Sequence, residues 1–193
     1  MTWTSRTHSG LSGGSLWISD ATASSGVVAQ DVIAQIDPNT GKRRTIEMPY
    51  DTLFLAWLDG SGDLWASHFA QGVTRLHAAT SAMETVDIGL VSPGQMAVAG
   101  DAVWVADGEA PEVARVQAIG APRSRVIRLG LLGGDVDFIA AGEGAIWATQ
   151  TQGRRLWRID PDSNKKTPID VSVSADGRRS GNGRRLGSGP GLI

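Results

Sequence analysis

Four residues stand at one offset in a repeated motif, and their types suggest a shared site. Asp20, His68, Asp107 and Gln150 each lie three positions after a tryptophan: Trp17, Trp65, Trp104 and Trp147. Carboxylate and imidazole side chains suit a divalent cation such as magnesium or a borderline metal. Asp20, His68 and Asp107 therefore define the expected metal site, with His68 as the candidate catalytic residue. An ion held there would stabilise negative charge developing on a carbonyl oxygen. The competing reading is structural, because an Asp that ends a strand commonly accepts hydrogen bonds from the backbone of the next turn. His77 precedes a turn and reads as a turn residue, and His8 falls in an irregular, solvated stretch. Glu109 and Glu112 flank a loop proline as solvated carboxylates. Trp57 and Phe138 fall in segments that precede a Trp strand, where packing between sheets is expected before channel lining.

The elements that must position these residues come from an internal repeat. The motif reads Gly-Ser-Leu-Trp-Ile-Ser-Asp at Gly14–Asp20 and Gly-Asp-Leu-Trp-Ala-Ser-His at Gly62–His68. It returns as Asp-Ala-Val-Trp-Val-Ala-Asp at Asp101–Asp107 and Gly-Ala-Ile-Trp-Ala-Thr-Gln at Gly144–Gln150. The four tryptophans are 48, 39 and 43 residues apart. A second apolar segment follows each one and ends at Ile36, Leu76, Val116 or Ile159. Turn sequences come next, clearest in Asp-Pro-Asn-Thr-Gly-Lys (Asp37–Lys42) and Asp-Pro-Asp-Ser-Asn-Lys (Asp160–Lys165). Pro presets φ at the second turn position, and Asp, Asn and Gly cap or tolerate the reversal. A third segment follows each turn. A fourth precedes three of the tryptophans, at Leu53–Leu58, Gln95–Ala99 and Val136–Ala141.

Four short strands in about 40 residues are the signature of a propeller blade. The sequence thus predicts an all-β protein, a β-propeller of four four-stranded blades with almost no helix. The tryptophan has a physical task in such a fold, filling the wedge between stacked blades. Trp65, Trp104 and Trp147 are expected to be buried. Trp17 is expected to be more exposed, because only the polar Met1–Leu11 remains to supply the first strand of its blade.

Composition narrows the class. The 193 residues include 41% hydrophobic and 20% charged residues, which fits one globular domain. No stretch of 18 apolar residues is present, so no membrane-spanning helix is expected. The net charge of −2 argues against nucleic-acid binding. Cysteine is absent, which removes disulfides and thiolate chemistry. The first residues, Met1–Gly14, have no apolar core of a signal peptide, and a cytoplasmic location is expected. No phosphate-binding glycine loop or nucleophile elbow occurs.

The motif pair, Gly-x-x-apolar-Trp followed by Val-x-Arg-Ile-Asp-Pro-x-Thr-Gly, resembles the blades of virginiamycin B lyase-like propellers. It is also similar to NHL and YVTN-type repeats. The resemblance covers Leu11 to about Val173. It implies a ring of six or seven blades and, in the lyases, a metal-assisted elimination that opens a cyclic depsipeptide with His and Glu side chains near the central channel. No His-x-Glu or Glu-x-His pair occurs in this chain. Two functions follow from this reading. The first is a binding module for a protein, peptide or small molecule on one propeller face. The second is a metal-dependent lyase or lactone hydrolase acting on a cyclic ester.

The organisation expected is propeller repeats over residues 1–173, with the first blade incomplete, and a Gly/Ser/Arg-rich flexible loop over 174–188. Residues 189–193 would open a fifth repeat, since Gly189-Pro190-Gly191-Leu192-Ile193 resembles Ser92-Pro93-Gly94-Gln95-Met96. The chain is therefore expected to be part of a larger propeller rather than a closed four-bladed ring. Its outermost blade faces would then be open to association.

Overall fold

In the computed structural model the described residues are 6–12, 14–21, 32–50, 52–58, 62–130, 134–150 and 152–171. They form sixteen strands in four sheets, with no helix. The first sheet contains β1 (Arg6–Ser12), β2 (Ser15–Ala21), β3 (Val32–Ile36) and β4 (Arg43–Glu47). The second contains β5 (Thr52–Leu58), β6 (Asp63–His68), β7 (Gly72–His77) and β8 (Met83–Val86). The third contains β9 (Pro93–Ala99), β10 (Ala102–Asp107), β11 (Glu112–Gln117) and β12 (Arg123–Arg128). The fourth contains β13 (Phe138–Gly142), β14 (Ala145–Gln150), β15 (Arg155–Ile159) and β16 (Lys166–Asp170).

Every sheet is an antiparallel meander in chain order. Along the inner side β1 lies against β5, β5 against β9 and β9 against β13. The fourth strands stand at the outer edge. This is the predicted propeller architecture. The first sheet has all four strands, although β1 carries no apolar alternation that would announce it. Residues 172–193, which include the expected flexible loop and fifth repeat, lie outside the described residues.

Strand composition follows position in the sheet. All six residues of β10, Ala-Val-Trp-Val-Ala-Asp, are buried, because sheets cover both of its faces. The outer β12 reads Arg-Ser-Arg-Val-Ile-Arg and β16 reads Lys-Thr-Pro-Ile-Asp, with Pro168 at its centre. Charge and proline on an edge strand discourage pairing with another chain. The turns obey local stereochemistry. Between β13 and β14 both Glu143 and Gly144 have positive φ, 52° and 64°, as a two-residue hairpin of the twist-matching type requires. Gly72 is needed for space as well: a Cβ there would sit 2.2 Å from the carbonyl oxygen of Val86.

Successive sheets pack face to face by one rule. Each sheet has a tryptophan face and a reverse face, set by the alternation of side chains along the strands. The tryptophan face of the first sheet, with Trp17, Ile33 and Ile46, meets Leu64, Ala66 and Leu76 on the reverse face of the second. Trp65 and Val73 meet Val103, Val105, Ala114 and Val116 of the third. Trp104, Val113 and Ile127 meet Ile146, Ala148, Trp157 and Ile159 of the fourth. A cation lies across the strand from Trp65 and from Trp104, with the Arg75 guanidinium 5.8 Å above Trp65 and that of Arg115 6.0 Å above Trp104.

The expected burial of the tryptophans is corrected at both ends. Trp17 is only 2% exposed and Trp147 is the partly exposed one. The reason is that a tryptophan is covered by the sheet that follows it. Trp17 has the second sheet above it, and Trp147 has no following sheet among the described residues. Phe138 departs from its expected packing role for the same reason and is 60% exposed on that face.

Candidate functional site

Three of the four residues at the shared offset are described with their side chains, and all three are buried. His68, Asp107 and Gln150 end β6, β10 and β14, on the reverse face of their sheets. Each holds the end of its strand in a seam beside the segment arriving from the preceding sheet. Asp107 is the fullest case. Its Oδ1 accepts hydrogen bonds from the backbone N–H groups of Ser92 (3.2 Å), Glu109 (2.9 Å) and Ala110 (3.2 Å). Its Oδ2 accepts from the N–H of Val91 at 2.9 Å. Four main-chain donors compensate a buried carboxylate and fix both the connecting segment and the following loop.

Gln150 performs the corresponding task with an amide. Its Nε2 donates to the carbonyl of Gly134 at 2.9 Å, and its Oε1 accepts the indole N–H of buried Trp157 at 2.6 Å. In the second sheet His68 Nε2 is 2.8 Å from Thr74 Oγ1, which is 2.9 Å from Thr85 Oγ1. The Tyr50 ring, in the segment before β5, meets the His68 imidazole edge-on at 5.5 Å. The side chain of Asp20 lies outside the described residues, as do those of His8 and Trp57. Among the described residues no three His, Asp or Glu side chains gather as metal ligands. His68 and Asp107 belong to different sheets, and the carboxylate of Asp107 is already surrounded by N–H donors.

The other polar residues also have structural partners. His77 Nδ1 lies 2.8 Å from Asp63 Oδ1, and its backbone holds the turn after β7 through Ala82 and Ser81. Arg75 Nε donates to Asp63 Oδ2 at 2.8 Å, and its Nη1 reaches the carbonyl of Gly120 in the third sheet at 3.2 Å. Glu112 accepts from Arg128 Nε at 2.7 Å. Asp63 was not singled out by the motif offsets, yet the recurrence of an Asp ahead of the tryptophan and an Arg on the next strand, as in Asp101 with Arg115, signals it. At the exposed turns Asp37 and Asp160 are held below the usual carboxylate range, first by backbone N–H donors, those of Asn39 and Ser163 respectively.

A different group stands out at the end of the array where β6, β10 and β14 finish. The exposed aromatic residues Tyr50, Phe69 and Phe138 all lie there, with Val91 and Val171. Phe69 sits in the three-residue turn between β6 and β7, beside Ala70 at φ 55°. The opposite end presents Ile119 and Met83 among charged or polar turns. Sequence reasoning missed this surface because its members come from unlike places in the repeat: connecting segments, one tight turn and one strand start.

No protein-family model matches the chain, and no curated protein matches it. Solved structures do. A nidogen/laminin complex superposes with a TM-score of 0.62 at 11% identity, over 81% of this chain and 59% of that one. AztD from Citrobacter koseri gives 0.62 at 16% identity, over 86% and 47%. Sqt1 from Saccharomyces cerevisiae gives 0.62 at 9%, over 83% and 46%. The extracellular domain of the putative one-component system BT4673 from B. thetaiotaomicron gives 0.61 at 17%, over 84% and 23%. The chain thus spans less than two thirds of each of these structures. What they establish is the fold: this chain is built like part of a β-propeller.

Proposed function

We propose that the protein is a recognition module of the virginiamycin B lyase-like repeat type. It takes a protein or peptide ligand on the end of the array that carries Tyr50 and Phe69. The observation behind this reading is the division of labour between polar and apolar residues. His68, Asp107 and Gln150 are buried and bonded within the fold, whereas aromatic side chains at the same end face solvent. Exposed aromatic residues on loops held by a rigid scaffold are typical anchors for a partner. One of the similar structures is that of a nidogen/laminin complex, a propeller fold seen with a protein partner. A metal-dependent lyase or lactone hydrolase would need converging ligands, and the described residues gather no such set.

The test is selection of peptides from a random phage-displayed library on the immobilised chain. Selected peptides should lose at least about tenfold in affinity on the double variant Tyr50→Ser/Phe69→Ser, the loss expected of central anchors. They should bind unchanged to Ile119→Ser at the opposite end. Equal binding to the double variant and the parent would overturn the reading.

A further inference from the structure

The rule that joins successive sheets leaves two faces over. On the tryptophan face of the fourth sheet, Trp147 and Leu156 are partly exposed, Ile169 is 38% exposed and Phe138 and Val171 are more so. Phe138, Leu156 and Val171 border a shallow cleft of about 410 Å³ together with Thr149, Gln150, Arg154 and Arg155. On the reverse face of the first sheet, Leu16, Ile18 and Ile36 are also only partly buried. Their counterparts in the other sheets are Leu64, Val103 and Ile146; Ala66, Val105 and Ala148; and Leu76, Val116 and Ile159. All nine are at 1% exposure or less. The two leftover faces are therefore the two halves of the interface that the molecule builds three times internally.

We infer that a second copy of the chain supplies what both faces lack. The tryptophan face of one copy seats on the reverse face of the other, and the reciprocal contact closes a ring of eight blades. This inference is independent of the ligand reading above. Two observations favour a second copy over other occupants. The chain spans 47% and 46% of two of the similar propeller structures, so two copies make up about one full ring, and eight blades lies within the range that propellers use. The polar contacts follow the same geometry. Arg44 bonds Ser81 and Arg75 bonds the Gly120 carbonyl, each reaching from a tryptophan face to the turn between the third and fourth strands of the next sheet. Arg158 holds the corresponding place opposite Trp147, and the corresponding turn of a second copy is Asp37–Lys42, which carries the Asp37 carboxylate. Two leftover faces of opposite kind make a head-to-tail contact that closes after two subunits.

Light scattering on the full chain at high micromolar concentration should report twice the 20.3 kDa of one chain. Ile169→Arg spoils the tryptophan face and Ile18→Arg the reverse face, so each variant alone should run as one chain. Mixing them in equal amounts should restore the double mass, because one intact face remains on each partner. Circular dichroism checks that both variants keep the parent's sheet signal, and the mixing experiment requires each to be folded. Truncation after Val171 should leave the double mass intact. A parent that runs as a single chain overturns the inference. So does an Ile18→Arg variant that stays double, which would mean a tryptophan-face to tryptophan-face contact, or a truncation that abolishes association, which would make the chain's own tail the occupant.

Discussion

Trp104 and Trp147 occupy one place in the repeat, each opposite an Arg on the neighbouring strand, Arg115 and Arg158. Trp104 is fully buried, while Trp147 is partly exposed and donates its indole N–H to the carbonyl of Gly142 at 3.0 Å. The residues around each within its own sheet are alike. What differs is the sheet above. A blade thus specifies its own strands, but the burial of its principal side chain is supplied by its neighbour. Stability in such an array is a sum of sheet terms and seam terms, and a seam exists only where two sheets meet.

The sharpest way to break this comparison is to truncate both indoles. Trp104→Ala should cost about 3–5 kcal/mol, as expected for a large side chain removed from a packed seam. Trp147→Ala should cost roughly 1 kcal/mol, the ordinary size for a partly exposed position. Urea unfolding of the two variants measures both, and equal losses would show that the indole acts within its own sheet rather than across the seam. Next in size is Asp107→Ala, which strips four buried or half-buried backbone donors of their acceptor. A loss of roughly 2–4 kcal/mol is expected, above that of a single orphaned hydrogen bond. Gln150→Leu in the last seam orphans one indole N–H and one carbonyl, for about 1–3 kcal/mol. If Gln150 serves as Asp107 does, proteolysis in both variants should begin in the segment entering the affected sheet.

The smallest effect concerns the exposed turns, where no seam is involved. Asp37 and Asp160 have folded-state pKa values below those of the unfolded chain. Their contribution is fully present above the ordinary carboxylate range. It is lost as pH falls below about 4, because the unfolded chain binds protons first. Asp160→Asn should flatten the acid limb of a stability–pH curve and leave the neutral region nearly unchanged. An acid limb identical to the parent's would show that the turn carboxylate contributes nothing measurable.

The strands and turns were legible because they depend on nearby residues. Gly62, Asp37 and Asp160 mark reversals in any context, and the Trp motif marks the second strand of each sheet. The burial of Trp17 and the exposure of Trp147 run opposite to the expectation, since the deciding information lies about 40 residues further along the chain. β1 was obscure for another reason. Its main chain pairs along all of β2, yet Arg-Thr-His-Ser-Gly-Leu-Ser offers no apolar alternation to reveal that pairing. Of the candidate site, the offset after Trp correctly marked equivalent places, and the structural alternative weighed for Asp107 describes its bonds. The tie from Gln150 to Trp157 was not legible, because it depends on a cross-strand diagonal that neither residue announces.

The partly wet indole of Trp147 has an optical consequence. Trp17, Trp65, Trp104 and Trp157 sit in dry surroundings, so their emission belongs at shorter wavelengths and resists aqueous quenchers. Among the described tryptophans Trp147 is the partly exposed one, so in the single chain it should be open to iodide and emit further to the red. Anything that settles on that face will shift the colour of the protein's fluorescence without a dye or a tag.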